Sequence, residues 1–319
     1  MKILGMSFGT RNGNNDAMCK EALMAAQEMG AEIEFIQMQD VNIKPCTGCI
    51  SCTKAIFSGR GNGCVQKDDL DWLVDKMFES DGIVVAVPIF EKGTTGLFHT
   101  LTDRFGPRMD RGNMMVADKI MKEKGGPGLN PRMLMDKPIS FISIGGSDWA
   151  TRVQTDCAMI PMTVMWKVID NKVFSWSKGI LMDDAAIAQC HQVGLNLAKA
   201  AQDNLDGKEM AYQGEEGVCP HCHCKEFYID PENDYAVTCD LCGMVGKLTV
   251  NESGKITFVF PEEQLKHAHD TLSGKFFHAG DIKENEGRLA EMQKNNEEFK
   301  ARKKKYAAFI QGTKPPKAV

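Results

Sequence analysis

The sequence predicts an α/β protein: a doubly wound, five-stranded parallel sheet, then a small cysteine-built module and a charged helical tail. Three observations carry this. Over the first two thirds of the chain, five short apolar runs of strand character alternate with stretches of helical period, the alternation a parallel sheet requires. Behind a polar linker, two cysteine pairs stand at the spacing of a metal ribbon. Beyond them, charged helical sequence runs to about residue 309.

Residues 2–6 read as a short buried strand, and a polar loop to Asn15 leads into a helix with apolar positions Met18, Ala22, Leu23, Ala26 and Met29. Glu32 to Met38 alternates as a second strand, and Leu70 to Phe78 is helical. Gly82 to Val87 is a continuous apolar strand of the kind buried on both faces. A loop after Pro88 precedes a helix through Leu97, Leu101 and Phe105, and the Met-, Gly- and Pro-rich stretch from Gly106 to Met135 reads as an insertion. Then come a strand over Pro138 to Ile144, a helix near Trp149 to Val164, a strand near Trp166 to Phe174 and a helix from Asp183 to Leu205. Five such units are the count of a flavodoxin-like fold. The expected division is 1–206 for this domain, 207–260 for the cysteine module and 261–319 for the tail. Two short strands (Gly246 to Val250, Lys255 to Phe260) follow the second cysteine cluster, and the tail places Leu289, Met292, Phe299, Tyr306 and Ile310 near one helix face, interrupted by Asn296 and Lys303.

With 319 residues, 43% of them hydrophobic and 25% charged, the chain can bury a sizeable core. Its net charge of −5 supplies no basic field for nucleic acid or an anionic membrane. The absence of an apolar run of roughly 18 residues, and a start that leads directly into strand-like sequence, point to a cytoplasmic protein. Thiols stay reduced there, so the 12 cysteines read as metal ligands or redox groups rather than disulfides.

Three loops fall where this fold binds ligands, at the carboxyl ends of the strands. The first, Ser7 to Asn15, is dense in hydroxyls and amides and precedes a helix N-terminus, a place for a phosphate. Gly9 and Gly13 let backbone approach a ligand, while Ser7, Thr10, Arg11, Asn14 and Asn15 offer side chains. In the second, Pro88, Ile89, Phe90, Glu91, Lys92, Gly93 and Thr94 combine an aromatic cover with peptide N–H groups. Gly145, Gly146 and Ser147 form the third. Three loops in this order imply FMN. His99, Asp103 and Arg104 follow the second loop and could handle protons or a cofactor phosphate, with Asp103 and Arg104 as a structural ion pair.

The chain resembles the NADPH-dependent FMN reductase family, particularly its iron–sulfur flavoprotein branch. The resemblance rests on the Ser7 to Asn15 loop, Pro45-Cys46-Thr47-Gly48-Cys49, Cys64 to Asp69, Pro88 to Gly96, and Leu101-Thr102-Asp103-Arg104. It departs at Phe8-Gly9-Thr10, where Gly-Ser-Pro is more common, and at Phe90, where Tyr is. The resemblance implies NAD(P)H as donor and a small organic electron acceptor, or ferredoxin as donor to an electron carrier. It also implies a flavin site at a subunit interface, hence a homodimer or homotetramer.

Cys46, Cys49, Cys52 and Cys64 form the first cysteine cluster, three at the tight spacing that wraps a cubane. A 4Fe-4S relay, redox-active thiols and zinc are all open to it. Cys219, Cys222, Cys239 and Cys242 form the second, at the spacing of a zinc ribbon. Rubredoxin-like iron would suit the same ligands, and His221, His223 and Cys224 crowd its first turn as alternative ligands.

Overall fold

A computed structural model describes residues 1–315. Five parallel strands lie in the order β2-β1-β3-β4-β5, with β1 Lys2–Ser7, β2 Glu32–Gln37, β3 Gly82–Pro88, β4 Pro138–Ile144 and β5 Lys167–Phe174. This is the flavodoxin-like order, which reverses direction between β1 and β3 and so opens a crevice at their carboxyl ends. Central strands β1 and β3 are buried on both faces, as their unbroken apolar runs demand. The pleat divides them between two cores. Leu4, Met6, Ile83 and Val85 face helices α3 (Leu70–Glu79), α4 (Gly96–Met109) and α6 (Val153–Val164), whereas Ile3, Val84 and Ala86 face α1 (Asn14–Glu28) and α7 (Asp184–Leu205). Small residues let α1 and α7 meet closely: a Cβ on Gly194 would lie 2.1 Å from the carbonyl oxygen of Ala22.

The stretch read as an insertion contains a helix, α5 (Arg111–Glu123), and the first cysteine segment contains another, α2 (Ser51–Phe57). Within α4 the chain kinks at Gly106, whose φ of 25° and ψ of −137° leave the helical region just before Pro107. The cysteine module has four antiparallel strands rather than two, β6 Phe227–Asp230, β7 Ala236–Cys239, β8 Val245–Val250 and β9 Ile256–Val259, in that order. Alternation is poor in β6, where both Tyr228 and Ile229 are exposed, so no period-2 signal marks it.

Met1–Phe276 forms one compact unit, so the ribbon packs with the parallel-sheet domain; a second unit begins at Phe277. The tail is two helices, α8 Leu272–Gln293 and α9 Glu297–Phe309. Asn295 at φ 55° ends the first, and Asn296 caps the second by accepting from the Phe299 N–H at 2.8 Å. Among the described residues, no helix is long and apolar enough to cross a membrane.

Candidate functional site

The first loop is built around a buried acid. Asp16, in the first turn of α1, accepts from the Ser7 hydroxyl, from the Asn12 N–H at 2.7 Å and from Gln37 Nε2 at 2.9 Å. Ser7 is fully buried and turned toward Asp16, so it shapes the loop rather than facing outward. Arg11 pairs with Asp40 at the surface, and Asn14 donates to the Lys178 carbonyl at 2.9 Å. Thr10 is exposed; Gly9 leaves no room for a side chain, a Cβ there falling 2.6 Å from that of Asn15. Helix α1 has no side-chain cap at Gly13, and the buried Asn15 Oδ1 has no hydrogen-bond partner.

The second loop reverses tightly after β3. Phe90 and Gly93 exchange backbone hydrogen bonds at 3.0 and 2.9 Å, with Glu91 and Lys92 between them at φ 47° and 71°. Both central residues are thus left-handed, a conformation unfavourable to side-chain-bearing residues. Phe90 projects outward, 61% exposed, while Ile89 packs on Gly145. Thr94 donates its N–H to Asp156 Oδ2 at 3.0 Å, and its hydroxyl lies 3.2 Å from His99 Nε2. Thr95 caps α4.

Gly145 in the third loop gives its N–H to the Phe174 carbonyl at 2.9 Å, which takes that amide out of the set expected to face a ligand. Gly146 is exposed and Ser147 half-buried. The Ser147 hydroxyl accepts from the Trp149 N–H at 3.2 Å, and Trp149 carries Lys92 Nζ 5.3 Å from its ring centre. Between α4 and α6, beside the second loop, lies a cavity of about 470 Å³ bordered by His99, Asp103, Phe105, Asp156, Met159 and Ile160.

Arg104 pairs with Asp68, not with the adjacent Asp103: Nη1 lies 2.5 Å from the Asp68 carboxylate and both side chains are buried. Nη1 also donates to the Lys44 carbonyl at 2.7 Å and Nη2 to Cys64 Sγ at 3.4 Å. Burial pushes the Asp68 pKa up, but Arg104 and the Lys44 and Leu70 N–H groups outweigh it and hold the carboxyl below its ordinary value. Cys46, Cys49, Cys52 and Cys64 all line one pocket beside this guanidinium. Hydrogen bonds from Ser51, then from Thr47, lower the exposed Cys49 thiol to about 7. Among the described residues, these four sulfurs do not converge as the ligands of a single ion.

Those of the ribbon do. Sulfurs of Cys219, Cys222, Cys239 and Cys242 lie within 4.8 Å of one another. Matching knuckle turns present them, with the His223 N–H donating to the Cys219 carbonyl and the Gly243 N–H to that of Cys239, each at 3.0 Å. Gly243 takes φ 78° to close the second turn. The crowding histidines have other partners: His221 Nε2 lies 2.7 Å from Asp270, and His223 stacks on Tyr212 at 3.9 Å between ring centres. Cys224 Sγ accepts from the Glu226 N–H at 3.4 Å.

Residues 1–180, more than half of the chain, match the family described as NADPH-dependent FMN reductase. The chain belongs to the NADPH-dependent FMN reductase family. It is therefore a flavin-dependent oxidoreductase. A solved structure of a flavone reductase shares 53% identity over 99% of this chain and all of that one, with a TM-score of 0.86. A flavone synthase of Aspergillus candidus is 25% identical over 89% of each chain. An iron–sulfur flavoprotein of Methanocaldococcus jannaschii is 37% identical over 34% of this chain and 53% of its own.

Two site residues of this family member escaped the sequence reading. Asp16 was visible only as an acid in a helical first turn. Asp156 gave no local signal, because the amide it holds lies 62 residues away.

Proposed function

We propose that this protein binds FMN on the loops at residues 7–15, 88–94 and 145–147 and uses NAD(P)H to reduce a carbon–carbon double bond conjugated to a carbonyl in a flat phenolic compound of the flavone class. The 53% identity with a flavone reductase, spread over 99% of the chain and so including ribbon and tail, carries this reading. A family match alone would support flavin chemistry without an acceptor.

The residues suit the cofactor. An uncapped helix N-terminus behind Gly9 to Gly13 suits a phosphate. The orphaned Asn15 oxygen would accept from a ribityl hydroxyl, and Phe90 is free to cover a ring face. Bound flavin supplies hydride chemistry; the protein orients it and handles the proton. The 470 Å³ cavity is within the usual range for a drug-sized ligand. Its apolar wall of Phe105, Met159 and Ile160 suits a flat ring system, and His99 at its rim suits the proton that accompanies hydride addition.

In the ribbon we place structural zinc. Four converging thiolates with no histidine among them are the donor set of a closed tetrahedral site. At Cys46, Cys49, Cys52 and Cys64 the favoured occupant is a 4Fe-4S cluster, larger than an ion and so suited to sulfurs that share a pocket without converging. This observation also supports a second role, as a carrier taking electrons from ferredoxin. The tail's outward Met292, Tyr306 and Phe309 support assembly into a homodimer or homotetramer, checked by light scattering.

The decisive assay is anaerobic incubation with NADPH, NADH or reduced ferredoxin and a flavone, with products identified by mass. A product two hydrogens heavier, formed with a nicotinamide donor, supports the enzyme. Turnover with ferredoxin alone and no flavone product would replace it with the carrier.

A further inference from the structure

Helix α6 is held on two sides by different parts of the molecule. Its first turn is tied to the second loop. The Arg152 N–H donates to the Lys92 carbonyl at 2.9 Å, and one turn later Asp156 Oδ2 accepts from the Thr94 N–H at 3.0 Å and lies 3.4 Å from the Thr94 hydroxyl. Around the helix, Thr155, Ala158 and Met162 form another face. Ala158 and Met162 pack into the ribbon's core with Cys219, Cys239 and Cys242, and the Thr155 hydroxyl lies 3.7 Å from Cys224 Sγ.

The second loop needs such a hold. Glu91 and Lys92 both carry side chains at positive φ, and such a conformation persists only where surroundings impose it. Gly93 lies so close to α6 that a Cβ on it would sit 2.2 Å from Asp156 Oδ2. The ribbon, for its part, is a small module of the kind that bound metal stabilises, and three of its four metal-site cysteines belong to the buried cluster that includes Ala158 and Met162 of α6.

We propose that Asp156 is a positioning residue for the flavin loop and that the metal ribbon, clamped to the other face of α6, keeps it in place, so that metal in the ribbon and FMN on the loops favour each other's binding. This rests on the flavin and metal sites proposed above. Asp156 touches neither ligand in this account; it acts by fixing residues 92–94. Linkage makes the coupling reciprocal, so either ligand reports it.

The test uses the full chain and two substitutions. Asp156→Ala removes the acceptor from the Thr94 amide, while Asp156→Asn retains one. FMN affinity, read by quenching of free flavin fluorescence, falls about tenfold or more in Asp156→Ala, the order expected when a largely buried amide loses its partner, and is mostly restored in Asp156→Asn. At equilibrium, saturating FMN lowers the share of ribbon metal taken by a coloured chelator in wild type and in Asp156→Asn, but not in Asp156→Ala. Circular dichroism confirms that each variant is folded. Equal FMN affinity in wild type and Asp156→Ala overturns the positioning role. FMN protection of the metal that survives in Asp156→Ala overturns the route through α6. A ribbon that carries no metal on elemental analysis overturns the coupling, while FMN affinity still decides the role of Asp156. Failure of wild type to bind FMN would refute the flavin site itself.

Discussion

At the scale of single residues, the candidate site is shaped by buried polar groups that bond the backbone of its loops. Asp16 gathers Ser7, Asn12 and Gln37 beneath the first loop. Asp16→Ala strands these donors, each costing about 1–3 kcal/mol if left unsatisfied. Both the denaturant midpoint and FMN affinity should drop; an unchanged FMN affinity would mean that the loop holds its shape unaided. Arg104→Met leaves the Asp68 carboxylate buried without its partner, at a cost of about 3–5 kcal/mol in urea unfolding. Because Asp68's folded pKa is depressed, its stabilising contribution is present above the ordinary carboxylate value and lost as pH falls through the folded one. The gap between wild type and Arg104→Met should accordingly be wide at neutral pH and narrow in acid. In sequence, adjacency alone pairs Arg104 with its neighbour Asp103. On a helix, adjacent side chains diverge, and the real partner lies 36 residues away.

At the scale of elements, the sheet was legible and the cysteine segment was not. A continuous apolar run as short as Gly82 to Val87, set among helical stretches, suits a strand buried on both faces, so the number of strands followed from the chain itself, while their order came with the structure. Helix α2 is seven residues long and lies among cysteines, too short for a readable period, whereas α5 is 13 residues with Met114, Ala117 and Met121 at helical spacing, a pattern hidden by the Met-, Gly- and Pro-rich surroundings that read as an insertion. Three ligand loops could be placed because strand ends are where this fold opens, yet which amides stay free depends on contacts such as Gly145 to Phe174 that no motif encodes. Pairing of α1 with α7 carries its own test. His191 bridges Glu21 at 2.8 Å and Glu28 at 3.2 Å, and the Glu21 hydrogen bond raises its pKa above the usual value. Its contribution should be fully present below about pH 6.5, the ordinary histidine value, and lost as pH rises through the elevated folded value. His191→Gln is predicted to lower stability by about 0.5–1 kcal/mol near pH 6 and to match wild type near pH 9, by thermal melts at both. A pH-independent difference would show that the ring acts by packing.

The whole molecule joins a flavin-family domain to a ribbon whose four cysteines are evident from spacing alone, whereas its seat on α6 is not, since Ala158 and Met162 look like ordinary core residues in sequence. Removing the proposed ribbon metal with a chelator should increase amide exchange across residues 219–259 and along α6, while β1 and β3 stay protected. Exchange confined to the ribbon would separate the two parts. Other cysteines have quieter roles: burial pushes the Cys157 and Cys190 thiols up to about 12, which fits packing rather than redox chemistry. The central claim is that flavin, donor and a flavone-class acceptor meet on this chain. It is tested most directly by following the visible spectrum of the purified protein, without oxygen, through addition of NADPH and then of a flavone in measured steps. NADPH is expected to bleach a bound flavin, and each equivalent of flavone to restore one equivalent of colour. A protein that carries no flavin, or whose bleached flavin stays bleached when the flavone is added, would contradict it.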